Sequence, residues 1–305
     1  ELMVTMAFLH FARSKVDIAV VETGLGGRLD ATNIVIPELS VITSISLDHC
    51  DLLGDSLEAI ASEKAGIVKS GRPVVIGRVP DVAENVIRRA AKVARAPVYS
   101  VREEFGENLS NYPETNLAGS FQRINAATAS LAADVLSDLV PVVPGCVREA
   151  LSVVDWAARW DVREVDQRTV IFDTSHNPEG AEILDTQLRK LVESEGGKPK
   201  IAVGTLGQFR ADHLLPVVAR HASEIFLVEP AQPRVATFAM MREAIPDGFA
   251  GNIHDCRVRD LFPAVGVCGV GQPGDTVVAT GSIYLIGELM EAVFHEVPVH
   301  EHMLQ

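Results

Sequence analysis

The residues best suited to chemistry gather in three short stretches, each at the end of an apolar run. The first is ETGLGGRLDATN at 22–33, directly after VDIAVV at 16–21. Glu22 puts a carboxylate where α/β sheets place ligands, outside the carboxyl ends of parallel strands. Gly24, Gly26 and Gly27 let the backbone turn sharply and approach a bound group closely. Arg28 and Asp30 offer charge to a ligand or to each other. The plainer alternative is a glycine-rich turn closed by an Arg28–Asp30 ion pair, because such loops alone are weakly specific. The second stretch, SLDH at 46–49, ends the run VITSI. Asp48 and His49 beside Glu22 would make a hard-to-borderline metal site; alone they would be a hydrogen-bonded turn.

The third stretch is FDTSHNP at 172–178. Asp173, Ser175 and His176 invite comparison with a hydrolase triad. Ser175 lacks a G-x-S-x-G elbow and stands only two positions from Asp173, so a ligand-binding strand end is the better account. Asn177-Pro178 forces a turn before a helix that starts near Glu179. Lys64, in EKAGI, falls on a helix; it is a solvated lysine unless its surroundings keep the amine neutral and able to bind or react.

These residues need elements to hold them. Short β-branched runs at 16–21, 41–45, 73–76 and 97–101 read as buried parallel strands. Helical periodicity covers 56–69, with Asp55 or Ser56 as N-cap and Gly71 as stop, and again 81–96, 124–139 and 144–154. Residues 102–114 are polar and read as a loop. The pattern restarts with apolar runs at 169–173, 200–203, 224–228 and 276–280. Strands alternating with helices argue for α/β architecture with largely parallel sheets.

With 305 residues, the chain is long enough for two domains at ~100–200 residues each. We place the first at 1–156, a linker at 157–163 where charges interrupt the periodicity, and the second at 164–305. Twenty-seven Lys and Arg face 41 Asp and Glu, a net charge of −14. Such a surface repels phosphate backbones and anionic lipid, which disfavours nucleic acid and membrane as partners. Cys50, Cys146, Cys256 and Cys268 form no C-x-x-C pair, as expected of reduced thiols in a cytoplasmic protein. A tail with His295, His300 and His302 reads as a solvated terminus rather than a metal site.

VETGLGGRLDATN, then ITSISLDHCDLLGDSLEAIASEKAGIVKSG, then FDTSHNPEGA resemble the bacterial folylpolyglutamate synthase/dihydrofolate synthase family of the Mur-ligase superfamily. QRINAATA around Asn125 and GSIYLIGEL at 281–289 also fit, so the resemblance runs along essentially the whole chain. It implies a Mur-ligase-like central ATPase domain followed by a Rossmann-like α/β domain. The implied reaction uses ATP and Mg²⁺ to activate a folate or dihydropteroate carboxylate as an acyl phosphate, which the amino group of L-glutamate attacks. By resemblance Glu22 and His49 would hold magnesium, and Lys64 would be the lysine that the family carbamylates. Asn125, Arg159, Asp173 and His176 would approach the nucleotide. The resemblance also implies a monomer.

The chain departs from that family in three places. No phosphate-binding loop of the G-x-x-x-x-G-K-[ST] kind occurs in the 305 residues. Since residue 1 is Glu, the expectation is a parallel sheet incomplete at its N-terminal side and little ligase activity from this chain alone. The family's Trp-Pro-Gly-Arg is Trp156-Ala157-Ala158-Arg159 here, and an Asp-Lys-Asp-type segment is replaced around Gln208 to Asp212. Alternatives are a non-catalytic relative acting in binding or assembly, or another amide ligase of the superfamily.

Overall fold

A computed structural model describes residues 1–143 and 145–294, so the histidine tail lies outside the described residues. The chain divides into two compact units, Glu1–Asn116 with Ser120–Val154, and Leu117–Gly119 with Asp155–Gln305.

The first unit contains, in order, α1 (Leu2–Ser14), β1 (Ser40–Ile42), α2 (Cys50–Leu53), α3 (Leu57–Ala65), β2 (Val74–Ile76), α4 (Asp81–Ala94), β3 (Val98–Ser100), α5 (Val101–Phe105), α6 (Ser120–Leu136) and α7 (Cys146–Ser152). Its strands pair in parallel in the order β1-β2-β3. Alternate side chains serve opposite faces, as the pleat requires. Ile42, Val74 and Ile76 pack with Ile60 and Ala61 of α3 and Ala83 and Ile87 of α4. Val75 turns the other way, against Val101, Tyr112 and the α6 residues Ala127 and Leu131. Both faces of the central strand β2 are covered, which is why it is an unbroken apolar run, Val74–Ile76.

Several expectations need correction. Residues 16–21 form no strand: Val16, Ile18 and Val20 are 43%, 49% and 94% exposed. A parallel strand needs a neighbour to bond, and among the described residues β1 pairs only with β2. Helix α3 is shorter than the periodicity suggested. Ser56 caps it by accepting from Ala59 N at 3.2 Å, but Gly66 already ends it. The polar stretch 102–114 holds most of α5 and a 3₁₀ turn at Leu109–Asn111.

The second unit contains β4 (Arg159–Val165), β5 (Arg168–Asp173), α8 (Pro178–Glu195), β6 (Lys200–Gly204), α9 (Gly207–His221), β7 (Glu224–Val228), α10 (Phe238–Glu243), β8 (Ile253–Cys256), α11 (Val258–Leu261), β9 (Thr276–Gly281) and α12 (Ile283–Phe294). The sheet order is β4-β5-β9-β6-β7-β8, with β4 antiparallel to β5 and every other pair parallel. Ile171, Ile201, Val203, Ile225 and Val278 face α8 and α9. Phe172, Ala202, Val277 and Ala279 face α12. The segment 157–163, expected as a linker, is mostly the edge strand β4. Its charges interrupt the apolar pattern because an edge strand can carry them toward solvent.

Candidate functional site

In the first unit, the loop after Glu22 is shaped from within by Asp30. Its Oδ2 accepts from Gly24 N at 2.9 Å and Leu25 N at 3.0 Å, and its Oδ1 from Thr32 N at 2.9 Å and Thr32 Oγ1 at 2.5 Å. Partial burial works to raise the Asp30 carboxyl, but the bonds from Thr32, Leu25 and Gly24 outweigh it and hold it below the usual carboxylate range. The alternative of a turn closed by an Arg28–Asp30 ion pair is not what forms. Arg28 reaches Glu63 on α3, with Nε at 3.2 Å from both carboxylate oxygens and Nη2 at 3.0 Å from Oε1.

Lys64 follows Glu63 on the last turn of α3. It is half-buried, and its side chain makes no hydrogen bond or ion pair among the described residues. Glu22 is exposed and equally unengaged among those residues. His49 sits at the start of α2 with φ 51°, in the left-handed region that a side-chain-bearing residue enters only when its surroundings hold it there. Its backbone N–H donates to Asp48 Oδ1 at 2.9 Å, and its Nε2 lies 3.9 Å from the same oxygen. Among the described residues no three His, Cys, Asp or Glu side chains cluster as a metal cage. Asn125 stands on the exposed side of α6, its amide donating to Gln122 Oε1 at 3.0 Å.

In the second unit, Arg159 pairs with Asp173 at the carboxyl end of β5, and His176 follows in the turn after that strand. Arg159 lies opposite Asp173 in the β4–β5 register, beside an irregularity between Arg159 and Asp161. Trp160, at that irregularity, takes φ 55°. Its N–H donates to Asp173 Oδ2 at 3.1 Å, while Ser175 N and Oγ donate to Oδ1 at 3.0 and 2.5 Å. Burial pushes the Asp173 carboxyl up; the bonds from Ser175 and Trp160 and the charge of Arg159 pull the other way without overcoming it. Ser175 thus serves Asp173, not His176, which supports setting the hydrolase reading aside.

His176 Nδ1 lies 2.8 Å from the carbonyl oxygen of Thr174. A carbonyl only accepts, so Nδ1 carries the proton and Nε2 of the neutral ring is left as an acceptor. Asn177 closes the turn by capping α8, accepting from Gly180 N at 2.8 Å, with Pro178 in the first helical turn.

Two further residues escaped the sequence reading. Thr205 and Thr280 are wholly buried just past the end of β6 and near the end of β9, and neither hydroxyl has a partner among the described residues. These strands are neighbours, yet β6 leads to α9 on one face of the sheet and β9 to α12 on the other. That is a topological switch point, where open α/β sheets bind ligands.

Comparison with known proteins gives this arrangement a family. Residues 1–133 match the Mur ligase middle domain. The chain is 31% identical over 314 residues to a probable dihydrofolate synthetase of Schizosaccharomyces pombe, covering 95% of this chain and 74% of that protein. Escherichia coli FolC in complex with DHPP and ADP is 27% identical with a TM-score of 0.76, over 92% of this chain and 67% of FolC. The bifunctional folylpolyglutamate synthase/dihydrofolate synthase of Yersinia pestis, solved with AMPPNP and Mn ion, is 27% identical with a TM-score of 0.73, over 94% and 68%. The long TGLGGRLDATN and SEKAGI runs, the two-unit α/β fold and this identity together establish that the chain belongs to the folylpolyglutamate synthase/dihydrofolate synthase family of the Mur-ligase superfamily, whose members are ATP-dependent ligases.

Proposed function

We propose that the chain serves the glutamate-adding reaction of its family. A carboxylate of dihydropteroate or a folate takes the terminal phosphoryl group of ATP, releasing ADP. The amino group of L-glutamate then attacks the acyl phosphate, phosphate leaves, and an amide forms with loss of a proton. The similarity to a dihydrofolate synthetase along 74% of its length is the observation that carries this reading.

Of the two proposed donors, the Glu22 carboxylate suits magnesium as a hard oxygen ligand and the His49 imidazole is the softer of the pair. Glu22 and His49 offer an open carboxylate and an imidazole, and an ion that keeps several waters and takes phosphate oxygens needs no fuller cage. When bound, Mg²⁺ would neutralise charge on the phosphates. Lys64 has a side chain free for carbamylation, which would add a carboxylate to this face of α3. Arg159 offers a guanidinium to the nucleotide and His176 an Nε2 acceptor to a hydroxyl or amine. Asp173 ties Trp160 of β4, next to Arg159, to the turn that carries His176, and Asn125 of the first unit is a separate candidate contact on α6. L-Glutamate has a candidate seat at the β6–β9 switch point, where Thr205 and Thr280 and the N-termini of α9 and α12 favour a carboxylate. No protein nucleophile is required. We further assign the chain to the cytoplasm as a monomer; its four cysteines are free, and no described helix is long and apolar enough to cross a membrane.

The 305 residues contain no G-x-x-x-x-G-K-[ST] loop. The chain alone is therefore expected to turn over at least about 10²-fold more slowly than a loop-bearing relative, the order lost with a main charge-stabilising element. Joined behind a loop-bearing segment from such a relative, it is expected to glutamylate dihydropteroate or a folate, read by product mass and ADP release. No product from either substrate in the joined protein would overturn the assignment.

A further inference from the structure

We infer that Arg28 and Glu63 are positioning residues that set the Glu22 loop against the turn of α3 carrying Lys64, an inference resting on the roles proposed above for Glu22 and Lys64. Glu22 stands on a segment outside any strand, so sheet register does not locate it. The loop that follows is located instead by ties to α3 and the turn beyond it. Arg28 N donates to Glu63 O at 2.8 Å, beneath the side-chain fork between the same two residues. Asn33 Nδ2 donates to both Arg28 O and Gly66 O at 3.1 Å, and Lys69 Nζ donates to Asn33 O at 2.9 Å.

Steric contact completes the join. A Cβ on Gly66 would stand 2.3 Å from the Arg28 Cβ, and one on Gly27 would stand 2.9 Å from the Glu63 carbonyl oxygen. Asp30 stiffens the loop internally through Gly24 and Leu25, two residues from Glu22. The piece from Gly24 to Asn33 is thus fastened onto the last turn of α3, one residue from Lys64. With side chains 55% and 26% exposed, the Arg28–Glu63 pair adds little to overall stability. A two-pronged guanidinium–carboxylate contact does fix direction, and that is the contribution we assign to it.

The test measures Lys64 directly in the whole chain. Acetylation by a limiting amine-reactive ester, followed by peptide mass spectrometry, gives the Lys64 rate relative to exposed Lys92 and Lys190. Arg28→Met and Glu63→Gln are expected to change that ratio by about threefold, the scale of one well-made surface ion pair. They are also expected to speed amide exchange across 25–32 while leaving the melting temperature unchanged. The reciprocal R28E/E63R variant should return both readings toward the parent, as a purely steric defect would not. If Arg28→Met fails to fold, Arg28→Lys keeps the charge, loses the fork and reads the same quantity. Unchanged Lys64 rate and loop exchange in the folded single variants would overturn the inference. Separately, a parent Lys64 rate indifferent to Mg²⁺ would count against the metal-site reading while leaving the variant measurements to decide the positioning role of Arg28 and Glu63.

Discussion

Asp173 shows how a carboxylate can look free in a sequence and be fully engaged in a fold. Its two oxygens receive three donors from two directions, Ser175 N and Oγ on one side and Trp160 N on the other. Asp173→Asn keeps the shape but offers one acceptor oxygen, and turns an amide donor toward one of those groups. The expected loss is about 1–3 kcal/mol of stability, the cost of a buried donor left unsatisfied, measured by urea unfolding. A variant as stable as the parent would show that the turn does not depend on these bonds. At this scale the residue types were legible: the carboxylates and histidines stand after apolar runs and Lys64 falls on a helix. Their partners were not, because Arg28 and Glu63 are 35 residues apart and meet only once the loop folds onto α3.

Elements were legible where burial on both faces writes an unbroken apolar run. β2, β5, β6, β7 and β9 all follow that rule, and all lie inside or nearly inside their sheets. β4 and β8 were missed because edge strands are free to carry charge: RWDVREV and IHDC resemble loops. Packing between elements can also be charged. Where α8 meets α9, Asp185 Oδ1 lies 2.8 Å from His221 Nε2, and Arg189 and Arg220 approach the same carboxylate. Burial favours a raised Asp185 carboxyl, but His221, Arg189 and Arg220 prevail and lower it. A carboxylate whose folded pKa lies below its unfolded value stabilises the fold above the unfolded value. That stabilisation is lost as pH falls through the folded one. Asp185→Asn should therefore be less stable than the parent at neutral pH, the gap closing below about pH 4. Paired urea unfolding curves across that range measure it, and a gap independent of pH would refute the charge-based account.

At the scale of the whole molecule, the two units differ in how completely they cover apolar surface. The six-stranded sheet has helices on both faces and a buried run at every parallel interior strand. The three-stranded sheet is covered too, but α1 has no buried residue, and Leu2 and Met3 are about three-quarters exposed. Beside α1, residues 17–23 donate no backbone hydrogen bond among the described residues. A cavity of about 320 Å³ lies between Met3, Phe8 and Phe11 of α1 and Val20 and Val21. The apolar pattern at 16–21 announced a strand correctly as chemistry and wrongly as structure, because a pattern specifies a face to bury and not the neighbour that buries it. Hydrogen exchange should expose this contrast. Amides at 18–21 are expected to exchange at nearly unprotected rates, while those of β2 and β9 exchange only with larger openings of their units. An apolar surface of this kind also binds amphiphilic dyes and invites self-association, which the net charge of −14 opposes but does not remove. Val20→Lys, placing charge on a residue 94% exposed, should lower dye binding without lowering the melting temperature. Strong protection at 18–21, or a Val20→Lys chain that melts early, would mean that this segment is buried in solution and that Val20 contributes to a core.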